Sequence, residues 1–204
     1  MAPSSKNRKQ TRGDRRPGTR HTRAPEPFPI LPWIVGGAFA ITIIALLVAI
    51  KIANTTGLPS PVAGVSCQAG EQLAVHYHAH LTIIYDGTNA NVPAQIGIKS
   101  KCLYWLHTHD TTGVIHIEAP KSAAGRQFTL GDFFAVWQQP LGPRRVATLA
   151  VPSGQSLKVW VNGHPYSGAV TGVVLGSHTD VVLEIGPPFT EPPPQFTWPA
   201  SLPK

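Results

Sequence analysis

Beyond its first residue the chain contains no methionine. That excludes a blue-copper centre with an axial methionine and argues against a methionine-rich copper(I) carrier. Cysteine is almost as scarce, with Cys67 and Cys102 alone in 204 residues. Acidic residues are few, 10 against 17 Lys+Arg, and the formal net charge of +7 would by itself suggest a nucleic-acid binder. Their positions remove that suggestion. Residues 1 to 27 carry eight basic and two acidic side chains, Lys51 adds one positive charge, and residues 54 to 204 hold eight of each sign. The basicity belongs to a tail, the folded part is neutral, and no nucleic-acid partner is expected. There is no internal repeat, and no Ser-His-Asp set or phosphate-cradling loop falls on suitable elements.

The tail is followed by "FPILPWIVGGAFAITIIALLVAI", residues 28 to 50, 23 positions without a charge. At ~1.5 Å per residue this spans about 34 Å as a helix, enough for a bilayer core of roughly 30 Å. Trp33 and Lys51 suit the two interfaces, and the basic tail marks the cytoplasmic side. A cleaved signal peptide is the competing reading. The apolar run is too long for one and the preceding region too extended. Arg15-Arg16 is followed by Pro17, unlike a twin-arginine signal, and Cys67 lies too far from the run for a lipoprotein site. Gly36 and Ala40, four apart, permit a helix-mediated homodimer.

The sequence thus predicts a basic cytoplasmic tail (1–27), a transmembrane helix (28–52), a linker (53–64), an extracytoplasmic domain (65–187) and a proline-rich tail (188–204). The lipid bilayer is the first expected partner. An outer compartment is oxidising, so Cys67 and Cys102 are expected to form a disulfide, stabilising by roughly 3–4 kcal/mol on the chain-entropy model. The fold class is mainly β (α+β). "LAVHYHAHLTIIYDG" alternates and ends in an Asp-Gly turn, "CLYWLHTH" and "VIHIEA" flank "DTTG", "LKVWVNGHPYS" contains an Asn-Gly hairpin turn, and "DVVLEIG" reads as a last strand. One amphipathic helix is predicted at "TLGDFFAVWQQPL", capped by Thr129 with Asp132, ended by Pro140, and burying Leu130, Phe133, Phe134 and Trp137. In the last tail, Phe189, Phe196 and Trp198 are placed to fasten it to the domain.

Six of the nine histidines fall between residues 76 and 116. Alternate residues of a strand share a face. Val75, Tyr77, Ala79, Leu81, Ile83 and Tyr85 form an apolar face, and His76, His78 and His80 share the other with Ala74, Thr82 and Ile84. With Asp110 to Gly113 as a four-residue turn, His109 faces Val114 and His107 faces His116. Trp105, His107, His109, His116 and Glu118 then lie opposite Cys102, Tyr104, Leu106, Ile115 and Ile117. A disulfide would bring the starts of the two strands together and the histidine rows abreast. Three imidazoles in one straight row, about 6.6 Å apart, do not converge on one ion. A pair from one strand with a third from its neighbour does, as in His₃ zinc sites with an open fourth position. Imidazole suits zinc, copper(II), iron and nickel. A His₂Cys site is disfavoured because Cys102 points away from His107.

The expected metal ligands are therefore His76, His78, His80, His107, His109 and His116, not all on one ion, with zinc or copper as the ion. Glu118 and Asp110 are the candidates for a further ligand, an orienting partner or a general base. A histidine pH switch and an exposed polar face are the bland alternatives. His164 and His178 read as incidental, His21 carries no assignment, and Trp105 walls the site or simply packs.

At "HYHAHL", "VPAQIGI", "CLYWLHTHDTTGVIHIEAP" and "FTLGDFFAVW" the chain resembles an uncharacterised family of membrane-anchored, histidine-rich extracytoplasmic proteins of bacteria and archaea. The resemblance covers roughly residues 65 to 140 and implies the anchor and outer location but no activity. The spacing does not fit the cupin pattern. Three functions stay open: metal binding for buffering, delivery or sensing; a metalloenzyme with three histidines and a carboxylate base; and a metal-free interaction domain.

Overall fold

The computed structural model describes residues 31–55 and 57–202. The basic tail with His21 lies outside the described residues, as do the side chains of Trp33 and Gly36. The chain divides between Ile50 and Lys51 into two units. Residues Leu31–Thr55 form helix α1, 25 residues long, over the apolar run. Among the described residues, no helix is long and apolar enough to cross a membrane.

The remainder is mainly β. Its first half contains β1 (Cys67–Gln68), β2 (Val75–Tyr85), β3 (Thr88–Ala90), β4 (Ile98–Lys99), β5 (Cys102–Tyr104), β6 (Leu106–His107) and β7 (Val114–Ala119). After α2 (Leu130–Trp137) come β8 (Leu141–Gly142), β9 (Arg145–Val146), β10 (Leu149–Ala150), β11 (Ser156–Val161), β12 (His164–Pro165) and β13 (Thr179–Gly186). The main sheet runs β12-β11-β13-β2-β7-β6, with β3 also on β2. Its ladders are antiparallel except β13 on β2.

Local chemistry makes these elements. Asp86 and Gly87 turn β2 into β3 with φ of 48° and 75°, and Asn162 and Gly163 turn β11 into β12 with φ of 51° and 75°, as two-residue hairpin turns require. Helix α2 begins with a complete capping box between Thr129 and Asp132. It ends at Gln138 in a left-handed conformation, two residues before the expected Pro140.

One face of the sheet is the core. Ala79, Leu81, Ile83, Leu106, Ile115 and Ile117 are buried there with Phe128, Leu130, Phe133 and Phe134. Trp137 packs against this cluster half-buried rather than inside it. The alternation read from β2 and β7 is therefore the alternation observed.

"CLYWLHTH" is not one strand. It breaks at Trp105, so that β5 joins β1 and β4 in a separate small sheet while β6 edges the main one. The Trp105 N–H donates to the Ser66 carbonyl at 3.2 Å and its indole donates to Gln68 Oε1 at 2.7 Å, which holds the break. Cys67 and Cys102 form the expected disulfide, joining β1 and β5 across a Cα–Cα distance of 5.4 Å. Replacing both cysteines by serine is expected to cost about 3–4 kcal/mol in denaturant unfolding. A loss below ~1 kcal/mol would show that the cross-link carries little of the stability.

The C-terminal tail runs over the other face of the sheet. The Phe196 ring stacks on His80 at 3.8 Å and Trp198 on His178 at 4.0 Å. The Phe196 N–H donates to Asp180 Oδ2 at 2.8 Å, and the Thr190 N–H to Glu184 Oε1 at 3.1 Å. Lys158 pairs with Glu191 and lies over Phe189.

Candidate metal centre

The register sets the site. Across β6, β7 and β2, His107 stands opposite His116, and His116 opposite His78. Two residues along, Glu118 stands opposite His76. Neighbouring strands are ~4.8 Å apart, and the rings follow that spacing: 5.4 Å between the centroids of His107 and His116, 4.7 Å between those of His116 and His78. The two histidine stretches thus lie abreast.

His109 arrives by a different path from the one expected. Pairing of β6 with β7 ends at His107, because Thr108 turns to the loop before β4. The Thr108 N–H donates to the Ile96 carbonyl at 3.1 Å, and its hydroxyl accepts from the Ile96 N–H at 3.1 Å. The expected pair of His109 with Val114 is therefore not formed; Val114 pairs with His80 on its other side. His109 still reaches the row, with its ring edge-on to His107 at 4.9 Å and to His116 at 4.5 Å.

Two groups of side chains result, each with its donor atoms within 4.8 Å of one another. The first is His107, His109, His116 and Glu118; the second is His76, His78 and His116. His107 Nδ1 lies 2.9 Å from the Tyr104 carbonyl. A carbonyl only accepts, so Nδ1 carries the proton and Nε2 presents a bare lone pair, the arrangement in which a backbone group orients a metal-binding histidine. That Nε2 is 3.2 Å from His109 Nε2. Two donors on one tetrahedral ion, each ~2.0–2.1 Å from it, stand about 3.3 Å apart. Without an ion the same separation takes an N–H···N hydrogen bond from His109.

Glu118 is buried, and its Oε2 has no hydrogen-bond partner, as also holds for His116 Nδ1. Its Oε1 is 3.5 Å from His116 Nδ1 and 3.6 Å from His76 Nε2, and its Oε2 is 3.9 Å from His107 Nε2. These contacts are too long for hydrogen bonds. A buried carboxylate oxygen left without a partner is costly, and a cation among these donors would remove the cost.

Burial keeps the His107 and His116 imidazoles unprotonated. Burial pushes His107 down to about 4 and His116 down to about 3, with neighbouring imidazoles adding to the shift. Burial raises Glu118, and the charge of Glu71 raises it further. Each buried histidine binds fewer protons folded than unfolded. Stability is therefore full above pH 6.5 and is lost as pH falls towards about 4. For the metal-free protein the expected loss from His107 is about 3 kcal/mol by pH 4. Urea unfolding at pH 7 and pH 4 reads this, with His107→Phe showing a smaller difference between the two; an equal difference would contradict it.

Two expected members lie elsewhere. His80 Nδ1 is 2.9 Å from Asp180 Oδ1, and its Nε2 is 2.9 Å from the Thr112 carbonyl. Each ring nitrogen faces an acceptor, so neither is turned towards the metal cluster. Gly113 makes the second contact possible. A Cβ there would meet the Leu81 carbonyl oxygen at 2.3 Å, so only glycine lets the turn sit against β2. Asp110 is exposed and accepts from the Thr112 N–H at 2.9 Å and from its hydroxyl, which hold its carboxyl below the usual range. It belongs to the turn and is in neither donor group.

Glu71 was not foreseen. This exposed residue acts through its charge on both His107 and Glu118. Its position five residues before the first histidine, in the segment leading from disulfide-bonded Cys67, was the available signal.

Fold and site together define a β-rich domain with buried His/Glu groups that could hold a metal ion. No family model, curated protein or solved structure matches the chain.

Proposed function

We propose that the chain is a membrane-anchored, extracytoplasmic protein that binds a transition-metal ion, zinc or copper, for buffering, delivery or sensing. One observation carries this reading: the bare Nε2 of His107 stands 3.2 Å from His109 Nε2, beside a buried Glu118 oxygen that has no hydrogen-bond partner. His107, His109, His116 and Glu118 hold the ion. Imidazoles with one carboxylate suit zinc and copper(II). Four protein donors close a tetrahedral site, which fits retention and transfer of the ion better than catalysis. The uncharged run behind a basic tail supports an N-inside anchor, and the disulfide suits an oxidising compartment.

A metalloenzyme is the second reading. The 3.9 Å from Glu118 Oε2 to His107 Nε2 exceeds the spacing of two donors on one ion. That supports a site in which three histidines hold the ion and Glu118 acts as base towards its water.

Elemental analysis of the full chain, purified in detergent from metal-replete cells, tests the reading. At least one equivalent of zinc or copper is expected per chain, and about one equivalent less in the double variant His107→Ala, His109→Ala. Equal metal content in the two proteins would sink it.

A further inference from the structure

The donors outnumber one ion. Five imidazoles and a carboxylate make up the two groups that share His116, and a tetrahedral ion takes four ligands. Glu118 faces both groups. Its Oε1 lies 3.6 Å from His76 Nε2 and 3.5 Å from His116 Nδ1, whereas its Oε2 lies 3.9 Å from His107 Nε2. One oxygen is therefore presented to each side of the cluster. On the metal-binding reading above, we propose that the cluster is a two-ion centre. Glu118 bridges one ion on His107 and His109 and a second on His76 and His78, with His116 between them.

The sheet builds this arrangement directly. His107, His116 and His78 form one row across three strands, and Glu118 and His76 form the next. The ions then lie on either side of the His116 ring, with the Glu118 carboxylate reaching towards both. Each position pairs a buried histidine, His107 or His78, with an exposed one, His109 or His76, so both ions are held from the protein side and reached from solvent. The buried donor set supplies only one negative charge for two ions; Glu71 adds a second from the surface, and water entering beside His76 and His109 provides the remaining ligands.

Equilibrium dialysis of the detergent-purified full chain against copper(II) tests the proposal, with spin quantitation by electron paramagnetic resonance. Two ions are expected in the wild type, with a spin-coupled signal that integrates to less than the copper present. The double variant His76→Ala, His78→Ala is expected to hold one ion with its full, uncoupled signal. His76→Ala alone, at an exposed position, is expected to weaken only the second ion, by at least tenfold. Two ions in the wild type and still two in the double variant, or one ion in the wild type, would overturn the two-ion centre and leave the single-ion reading in place. No ion in the wild type would overturn both.

Discussion

His109→Ala is expected to lower zinc affinity more than about 100-fold while costing the metal-free protein only about 1 kcal/mol, the hydrogen bond lost at buried His107 Nε2. The two halves of that result have separate causes. Removing a group that merely orients a ligand costs roughly 10–100-fold in affinity, so removing a ligand costs more. His109 is exposed, and among the described residues its ring contacts are with other members of the cluster, His107 and His116. Truncation therefore opens no cavity in the core. Competition against a chromophoric chelator measures the affinity, and His164→Ala, an exposed substitution on β12, serves as the reference. If both variants bind zinc alike, His109 is not a ligand.

Asp180→Ala is expected to destabilise the protein by about 3–5 kcal/mol, because it strips a buried pair of one partner. Asp180 Oδ1 is 2.9 Å from His80 Nδ1, and its Oδ2 accepts from the Phe196 N–H at 2.8 Å. The substitution leaves His80 Nδ1 without its acceptor beneath the Phe196 ring and releases a tether of the C-terminal tail. Metal stoichiometry is expected to be unchanged, since His80 is in neither donor group. Urea unfolding reads the first effect and elemental analysis the second. A loss under 1 kcal/mol, or a lost ion, would contradict this division between a stabilising pair and a metal cluster.

The same residues show what sequence could and could not reveal. The period-two pattern of β2 placed Ala79, Leu81 and Ile83 on the core face, where they are buried. The pairing of His107 with His116 followed from keeping Ile115, Ile117 and Leu106 on that face, since a slip of one residue would have exposed them. The capping box at Thr129 and Asp132 was equally local. The fate of His80 was not local. Its partner is 100 residues away, brought alongside by the parallel pairing of β13 with β2, and no neighbouring residue signals that pairing. The break at Trp105 depends on hydrogen bonds to Ser66 and Gln68, which alternation cannot show. Glu71 owes its effect to where the segment after Cys67 runs, a consequence of tertiary structure.

Zinc K-edge X-ray absorption of the full chain loaded with one equivalent of zinc is the most direct test. The expected spectrum has a nitrogen/oxygen shell at ~2.0–2.1 Å, no sulfur at ~2.3 Å, and outer-shell scattering from at least two imidazole rings. A shell of oxygen alone, without imidazole scattering, would contradict a site built on His107, His109 and His116.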